Sequence, residues 1–383
     1  MQDLTGFENL SGLLKVCHGL KPWHTYFCNM HFNVIIIGQG VSGTFLSYYL
    51  QKSGSSFIVI DESKPNTASK AASGIINPIT GRRIVKTWMI DELMAFAKNA
   101  YQQIGNQLNI DCITETKIID FFPTPQMRNA FLQRFEEDKE YLKLPNDENS
   151  WRENFNYDFG FGEIEPVHLI DINSLLSSFR KKMIEKELLI EEHFDINKLT
   201  ISENKIQYKD ITADKIIFCD GIESFSNPYF KNLPFAPNKG EALIIEAENL
   251  PNEFILKKGM NIVPLKNNLF WIGSSHEWEF ENDLPNKFFK ERTELILLDW
   301  LKSPFKIVEH FASVRPATLE RRPFVGFHPT HKNIGILNGM GTKGCSLAPF
   351  FAKQLTENII HQSPIHREAD ISRFARILSL RRF

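Results

Sequence analysis

The sequence predicts an α/β fold, α+β overall, in which a lobe built on a parallel sheet carries an inserted cap with a mixed or antiparallel sheet. Three observations predict it. In Val34-Ile35-Ile36-Ile37-Gly38-Gln39-Gly40-Val41-Ser42-Gly43, four β-branched apolar residues precede three glycines at G-x-G-x-x-G spacing. A helical stretch from Thr44 to Lys52 and a second apolar strand, Phe57-Ile58-Val59-Ile60, then lead to Asp61-Glu62 and complete a βαβ unit. From Gly240 onward the pattern turns antiparallel. Ala242 to Glu246, Phe254 to Lys257, Asn261 to Leu265 and Leu269 to Gly273 read as strands, with Lys266-Asn267-Asn268 as a turn.

Each glycine of the first motif has a physical task. Gly38 permits a tight turn out of the strand, Gly40 lets a pyrophosphate approach bare backbone, and Gly43 allows close helix–strand packing. The pyrophosphate belongs at the helix N-terminus, where free N–H groups and the helix dipole favour negative charge. Val41 and Ser42 lie at that N-terminus, and Asp61 with Glu62 stands where a ribose hydroxyl is met. The segment is a Rossmann-like FAD/NAD(P)-binding domain in outline.

Bulk composition narrows the class. The chain has 383 residues, 42% of them hydrophobic, which is mass for two or three domains or for one large two-lobed protein. A formal net charge of −2 gives no global attraction to nucleic acid or anionic membrane. No apolar run spans a bilayer. Five scattered cysteines (Cys17, Cys28, Cys112, Cys219, Cys345) contain no C-x-x-C pair, so no metal site is expected. That usage points to a reducing, cytoplasmic setting. Residues 1–29 lack clear periodicity and fit no signal peptide. Met30 directly precedes the first strand, so 1–29 is expected to be a poorly packing, non-native or disordered extension.

Further along, Thr67 to Pro78 is rich in small residues, with Ser69, Ala71, Ala72, Ser73 and Gly74 placed to meet a bulky planar ligand and Ile75-Ile76 tying the loop down. Thr87 to Leu108 and Gln126 to Leu142 read as helices, and Lys117 to Phe122 as a strand. Asp171 caps a helix running to Lys186. A meander (Leu188 to Phe194, Leu199 to Ile201, Lys205 to Tyr208) leads into Lys215 to Phe218 and the turn at Asp220-Gly221. Glu291 to Leu301 is helical. Ile334 to Leu337 is a strand, followed by the bare turn Gly339, Gly341, Gly344 and a helix from Ser346 to Ile360 with Pro349 in its first turn. This second glycine-preceded helix N-terminus favours a flavin over a nicotinamide, because reduced flavin gains negative charge at N1 and O2. Expected boundaries are 30–115, 165–239 and 312–383 for the nucleotide domain, and 116–164 and 240–311 for the substrate-binding cap.

From Met30 to the C-terminus the chain resembles the FAD-dependent oxidoreductases of the D-amino-acid oxidase superfamily, which includes glycine oxidase, sarcosine oxidase and the FAD domain of the tRNA-modifying MnmC. Four blocks carry the resemblance. They are the fingerprint ending at Asp61, the loop Ala68 to Pro78, the hairpin Ile262-Val263-Pro264 with Leu269 to Gly273, and a final composite block. That block runs Val314-Arg315-Pro316-Ala317-Thr318, Arg322-Pro323-Phe324-Val325-Gly326, Gly339-Met340-Gly341-Thr342-Lys343-Gly344 and Leu347-Ala348-Pro349.

The resemblance implies non-covalent FAD and oxidation of a C–N bond, with hydride passing to flavin N5. The donor is an amino acid or a secondary amine bearing a carboxylate. Arg315 would hold the carboxylate in a bidentate pair, unless it serves a structural bridge to Glu309 or Glu320. Asn261 stands where glycine-oxidase-like members carry a Tyr, which speaks against glycine itself. Trp271 falls near the oxygen-activating Lys of sarcosine oxidases, which speaks against rapid reaction with O₂; the electron acceptor is O₂ or another oxidant. Met340 and the Gly341–Gly344 turn line the site, with Lys343 supporting reduced flavin. No acid or base residue is required. Two other readings stand beside this one: an MnmC-like enzyme acting on a tRNA base, and a flavin-binding protein without turnover.

Overall fold

A computed structural model describes residues 30–202 and 205–379. The expectation for residues 1–29 lies outside the described residues. Along the chain, β1 (Met30–Ile37), α1 (Val41–Lys52) and β2 (Phe57–Ile60) come first. Three short strands follow, β3 (Ile75–Ile76), β4 (Ile79–Thr80) and β5 (Val85–Lys86), then α2 (Ile90–Leu108). Next are β6 (Ile113–Phe121), α3 (Pro125–Glu137), β7 (Leu142–Lys143), β8 (Phe161–Ile170) and α4 (Ile172–Glu185). Four strands, β9 (Leu189–Ile190), β10 (Leu199–Ile201), β11 (Ile206–Tyr208) and β12 (Ile211–Phe218), precede β13 (Asn238–Glu246). The chain continues through β14 (Ile255–Lys257), β15 (Asn261–Pro264), β16 (Leu269–Gly273), α5 (Lys287–Trp300) and β17 (Lys306–Arg315). It closes with β18 (Phe324–Phe327), β19 (Ile334–Asn338), α6 (Gly344–His361) and α7 (Ala375–Leu378).

The strands form two large sheets. In the first, β19, β12, β1, β2 and β9 are parallel neighbours in that order, with antiparallel β10, β11 and β18 at its margins. The second runs β17-β13-β16-β15-β14-β6-β8-β3 and is antiparallel except where β14 meets β6. β8 passes through position 165 without a break, inside this second sheet.

Burial explains the sequence pattern. Val34, Ile36 and Val59 join the core shared with α1, α2, α4 and α6, whereas Ile35, Ile37, Ile58 and Ile60 join a core on the other face. Both faces of β1 and β2 are covered, so these strands are continuously apolar. The second sheet alternates: Ala242, Ile244 and Trp271 face the shared core, while Leu243, Ile245, Phe270 and Ile272 pack with Leu297 and Trp300 of α5. The helical layer between the sheets therefore brings the N-termini of α1 and α6 against the inner face of the second sheet.

Several expected elements shift. α1 begins at Val41, directly after the N-cap Gly40, and not at Thr44. α2 starts at Ile90, because Met89 takes a left-handed φ of 53° and Trp88 stacks on Phe351 at 6.1 Å. α3 stops at Glu137, where Asp138 turns extended and Leu142-Lys143 pair with β8. The first segment of the expected meander is not part of it: only Leu189–Ile190 are strand, and they pair in parallel with β2. α6 opens at Gly344 from a 3₁₀ turn over Gly341–Lys343, which puts Pro349 in the second turn and not the first. The N-cap role of Asp171 is as expected, accepting from the Ser174 N–H at 3.1 Å.

Candidate functional site

A cavity of about 970 Å³ lies between the two helix N-termini and the inner face of the second sheet. It opens beyond the C-terminal ends of β1 and β12, on either side of the point where strand order reverses, which is where doubly wound sheets receive ligands. Of the residues singled out from sequence, Gly38, Gly40, Val41, Ser42, Asp61, Glu62, Ser69, Ala71, Ala72, Ser73, Gly74, Asp220, Gly221, Asn261, Trp271, Arg315, Met340, Gly341, Thr342, Lys343 and Gly344 line it. Gly43 and Gly339 do not. Gly43 sits beneath the turn, where a Cβ would meet the Gly38 carbonyl at 1.9 Å, and Gly339 packs against Thr318 and Phe324.

The first cradle is built by the strand-to-helix turn. Gly38 has φ +95°, and a Cβ there would lie 2.6 Å from the Cys219 carbonyl of the neighbouring strand end. Ser69 Oγ accepts the Val41 N–H at 3.0 Å, so the small-residue loop caps α1. The Ser42 and Gly43 amides have no acceptor among the described residues, which leaves donors aimed at an anion. Asp61 is held tightly. Its Oδ2 accepts the Gln39 N–H at 2.9 Å, and its Oδ1 accepts the Ser63 N–H at 2.8 Å and an Arg180 guanidinium N–H at 2.6 Å.

The second cradle meets the first. A Cβ on Gly344, the first residue of α6, would lie 3.4 Å from Val41 Cγ1, the first residue of α1. Two helix N-termini thus converge on one cavity. Between them, Asp220 Oδ1 accepts from the Ser224 hydroxyl and from Asn338 Nδ2, and burial pushes its carboxyl up to about 7. Convergent backbone donors, a carboxylate at the tip of β2 and a small-residue loop fit a dinucleotide whose planar ring reaches the second cradle.

Side chains form the opposite wall. Arg315, the last residue of β17, is paired in register with Asn238 at the start of β13. Its guanidinium lies flat over Gly240, where a Cβ would sit 1.8 Å from Nη2. It donates to Asn238 Oδ1 at 2.6 Å, Ser274 Oγ at 2.8 Å and the Ser275 carbonyl at 3.2 Å. All three acceptors are neutral, and burial lowers this guanidinium to about 10. The bridges to Glu309 or Glu320 do not form: Arg315 makes no ion pair among the described residues, and Glu320 pairs with Arg373. Trp271, 8% exposed, donates its indole N–H to the Ala71 carbonyl at 3.2 Å and so ties the second sheet to the small-residue loop. Among the described residues Lys343 reaches only Thr87 Oγ1, at 3.4 Å, and burial pulls its ammonium down to about 8. His276 is exposed at the rim, bonded to Asn238 Oδ1 at 3.2 Å.

Sequence reasoning missed Arg180, Asn238 and Ser274. Arg180 lies on α4, and Asn238 and Ser274 reach Arg315 only through sheet pairing. None sits in a motif, so no local signal marks them.

The comparisons with known proteins agree with this geometry. A family profile described as FAD dependent oxidoreductase, DAO, matches residues 33–358. Glycine oxidase of Pseudomonas putida is 21% identical over 365 residues, covering 88% of this chain and 96% of that protein. Glycine oxidase from Geobacillus kaustophilus superposes with a TM-score of 0.73 at 17% identity, covering 90% of this chain and 98% of the other. Iminodiacetate oxidase from Chelativorans sp. BNC1 superposes with a TM-score of 0.68 at 17% identity, covering 88% and 98%. No described helix is long and apolar enough to cross a membrane. Together with the two converging cradles, these matches establish that the chain belongs to the DAO family and is an FAD-dependent oxidoreductase.

Proposed function

We propose that this chain oxidises the carbon–nitrogen bond of an amino acid or a secondary amine that bears a carboxylate. One observation carries the reading: Arg315 presents a desolvated guanidinium to the cavity with only neutral acceptors around it. A planar fork without a counter-ion is suited to a carboxylate, which would replace neutral acceptors now on both Nη atoms with two parallel charge-assisted bonds and so repay its burial. The relatives named as glycine and iminodiacetate oxidases point the same way.

Bound FAD supplies the hydride acceptor. The protein's own residues orient and exclude water. Arg315 fixes one end of the substrate and Asn238 fixes Arg315. Trp271 and Met340, both largely buried, keep the reacting region dry. Asp61, Gly40 and the α1 amides would hold the nucleotide end, and the Gly341–Gly344 turn would meet the ring, where its backbone and helix dipole favour negative charge. Three described cysteines, Cys112, Cys219 and Cys345, are free and buried, which suits a reducing cytoplasm.

The test is anaerobic mixing of the purified yellow protein with amino acids and N-methyl amino acids. Bleaching of the flavin by carboxylate-bearing amines supports the reading. No bleaching by any of them favours a flavin-binding protein without turnover, and tRNA retained on a filter at moderate salt favours the tRNA-base reading.

A further inference from the structure

We propose that Lys343 is a second anion-binding residue of the substrate pocket, so that the amine oxidised here carries an acidic group beyond the carboxylate held by Arg315. This rests on the proposed function above and narrows its substrate class.

The charge inventory of the cavity leads to it. Lys64 bridges Glu62 at 2.9 Å and Glu223 at 2.7 Å. Lys70 is spent on the Ser63 and Lys64 carbonyls, at 3.2 and 2.6 Å. His193 meets Glu62 at 3.0 Å. Three cations lining the cavity have no carboxylate among the described residues: Lys70, already held by two carbonyls and a hydroxyl, Arg315, argued above, and Lys343, whose single contact is a hydroxyl.

The direction of Lys343 separates it from the nucleotide end. Its backbone belongs to the second cradle, its ammonium meets Thr87 Oγ1 at 3.4 Å, and Lys257 of β14, in the second sheet, is the other cation that bears on it. Lys257 is itself neutralised by buried Asp120 at 2.7 Å, so Lys343 is the surplus charge. In the β14–β15 ladder Lys257 faces Asn261, which lines the cavity. Thr87 in turn donates to the carbonyl of Asn77, which directly follows β3 of the second sheet and lines the cavity, so the ammonium lies toward that sheet. A half-buried cation whose only partner is a hydroxyl is costly, and an arriving anion removes that cost. A lysine, a point charge on a flexible stem, suits an acidic group at variable distance, whereas the Arg315 fork suits a fixed one.

The test uses the flavin-loaded protein and non-reacting acids of matched length: propionate against malonate, butyrate against succinate, valerate against glutarate. Dissociation constants are read from perturbation of the flavin absorption bands. At least one dicarboxylate is expected to bind about tenfold tighter than its partner, the scale of one charge-assisted bond. Lys343→Met is expected to abolish that preference and Lys343→Arg to keep it. A preference that is absent in the unmodified protein, or that survives Lys343→Met, overturns the proposal. So does a Lys343→Met protein whose flavin potential shifts while both acid classes weaken equally, because the lysine then serves the flavin. If no acid perturbs the bands, or if Arg315→Met leaves the response to monocarboxylates intact, the Arg315 reading falls and this one with it.

Discussion

The two walls of the cavity are made of different material. The nucleotide side is backbone: bare turns at Gly38–Gly40 and Gly341–Gly344, free amides at the start of α1, and one carboxylate at the end of β2. The opposite side is side chains from distant strands: Arg315, Asn261 and Trp271 of the second sheet. Backbone recognises what all members of such a family share, a pyrophosphate and a ring. Side chains can be exchanged without disturbing the turn that bears them, so the proposed function assigns substrate choice to that wall.

That contrast can be broken first at Arg315. Arg315→Met is expected to lower kcat/KM by about a hundredfold or more, the cost of deleting one partner of a buried charge pair, while flavin content stays at the unmodified level. Steady-state kinetics beside the 450 nm absorbance would check both. Arg315→Lys should recover only part, because an ammonium cannot form the fork.

A smaller effect belongs to the other wall. In Gly40→Ala the new Cβ would come within 2.9 Å of Ser69 Oγ, disturbing the loop that caps α1 and filling space meant for phosphate. FAD affinity is expected to drop about tenfold, as one or two backbone contacts are lost, with KM for the amine unchanged in the fraction that keeps flavin. Titration of the flavin-free protein with FAD measures this. A change in KM instead would show that the two walls are not separable.

Asp220 sharpens the comparison through pH. Its folded value of about 7 lies above the ordinary carboxylate range, because burial disfavours the charge. The folded state therefore binds a proton that the unfolded chain releases at lower pH. The stability this confers is full below about pH 4 and is lost as pH rises to about 7. Urea unfolding of the flavin-free protein should show that decline, and Asp220→Asn should flatten it.

The mildest expectation concerns oxygen. Trp271, bonded to the Ala71 carbonyl, stands near where the resemblance to sarcosine oxidases would place an oxygen-activating lysine. Reduced flavin should therefore reoxidise slowly in air, and stopped-flow mixing with oxygenated buffer would measure it.

Legibility followed distance along the chain. β1, α1 and β2 were readable because the whole nucleotide unit is contiguous and both strands are buried on both faces. The β13–β16 strands were readable from alternation and one asparagine-bearing turn. β8 left no such mark: Phe161, Ile164, Val167 and Ile170 recur every third residue, with Pro166 between them. The ladder with β6 absorbs that spacing through a register shift opposite Thr116 and Ile118. Arg315 could be singled out from its motif, but its neutral surroundings could not. Asn238 and Ser274 come to it only through the pairing of β13 and the turn after β16. The left-handed residue at Met89, which delays α2, is set by tertiary packing around Trp88 and carries no local signature.

The most direct measurement pairs the best amine substrate with its decarboxylated analogue and follows anaerobic flavin reduction by stopped flow in the unmodified protein and in Arg315→Met. The account predicts that the carboxylated compound reduces flavin at least about a hundredfold faster in the unmodified protein, and that this advantage collapses to near unity in the variant. Equal rates for the two compounds in the unmodified protein, or an advantage that persists without Arg315, would contradict it.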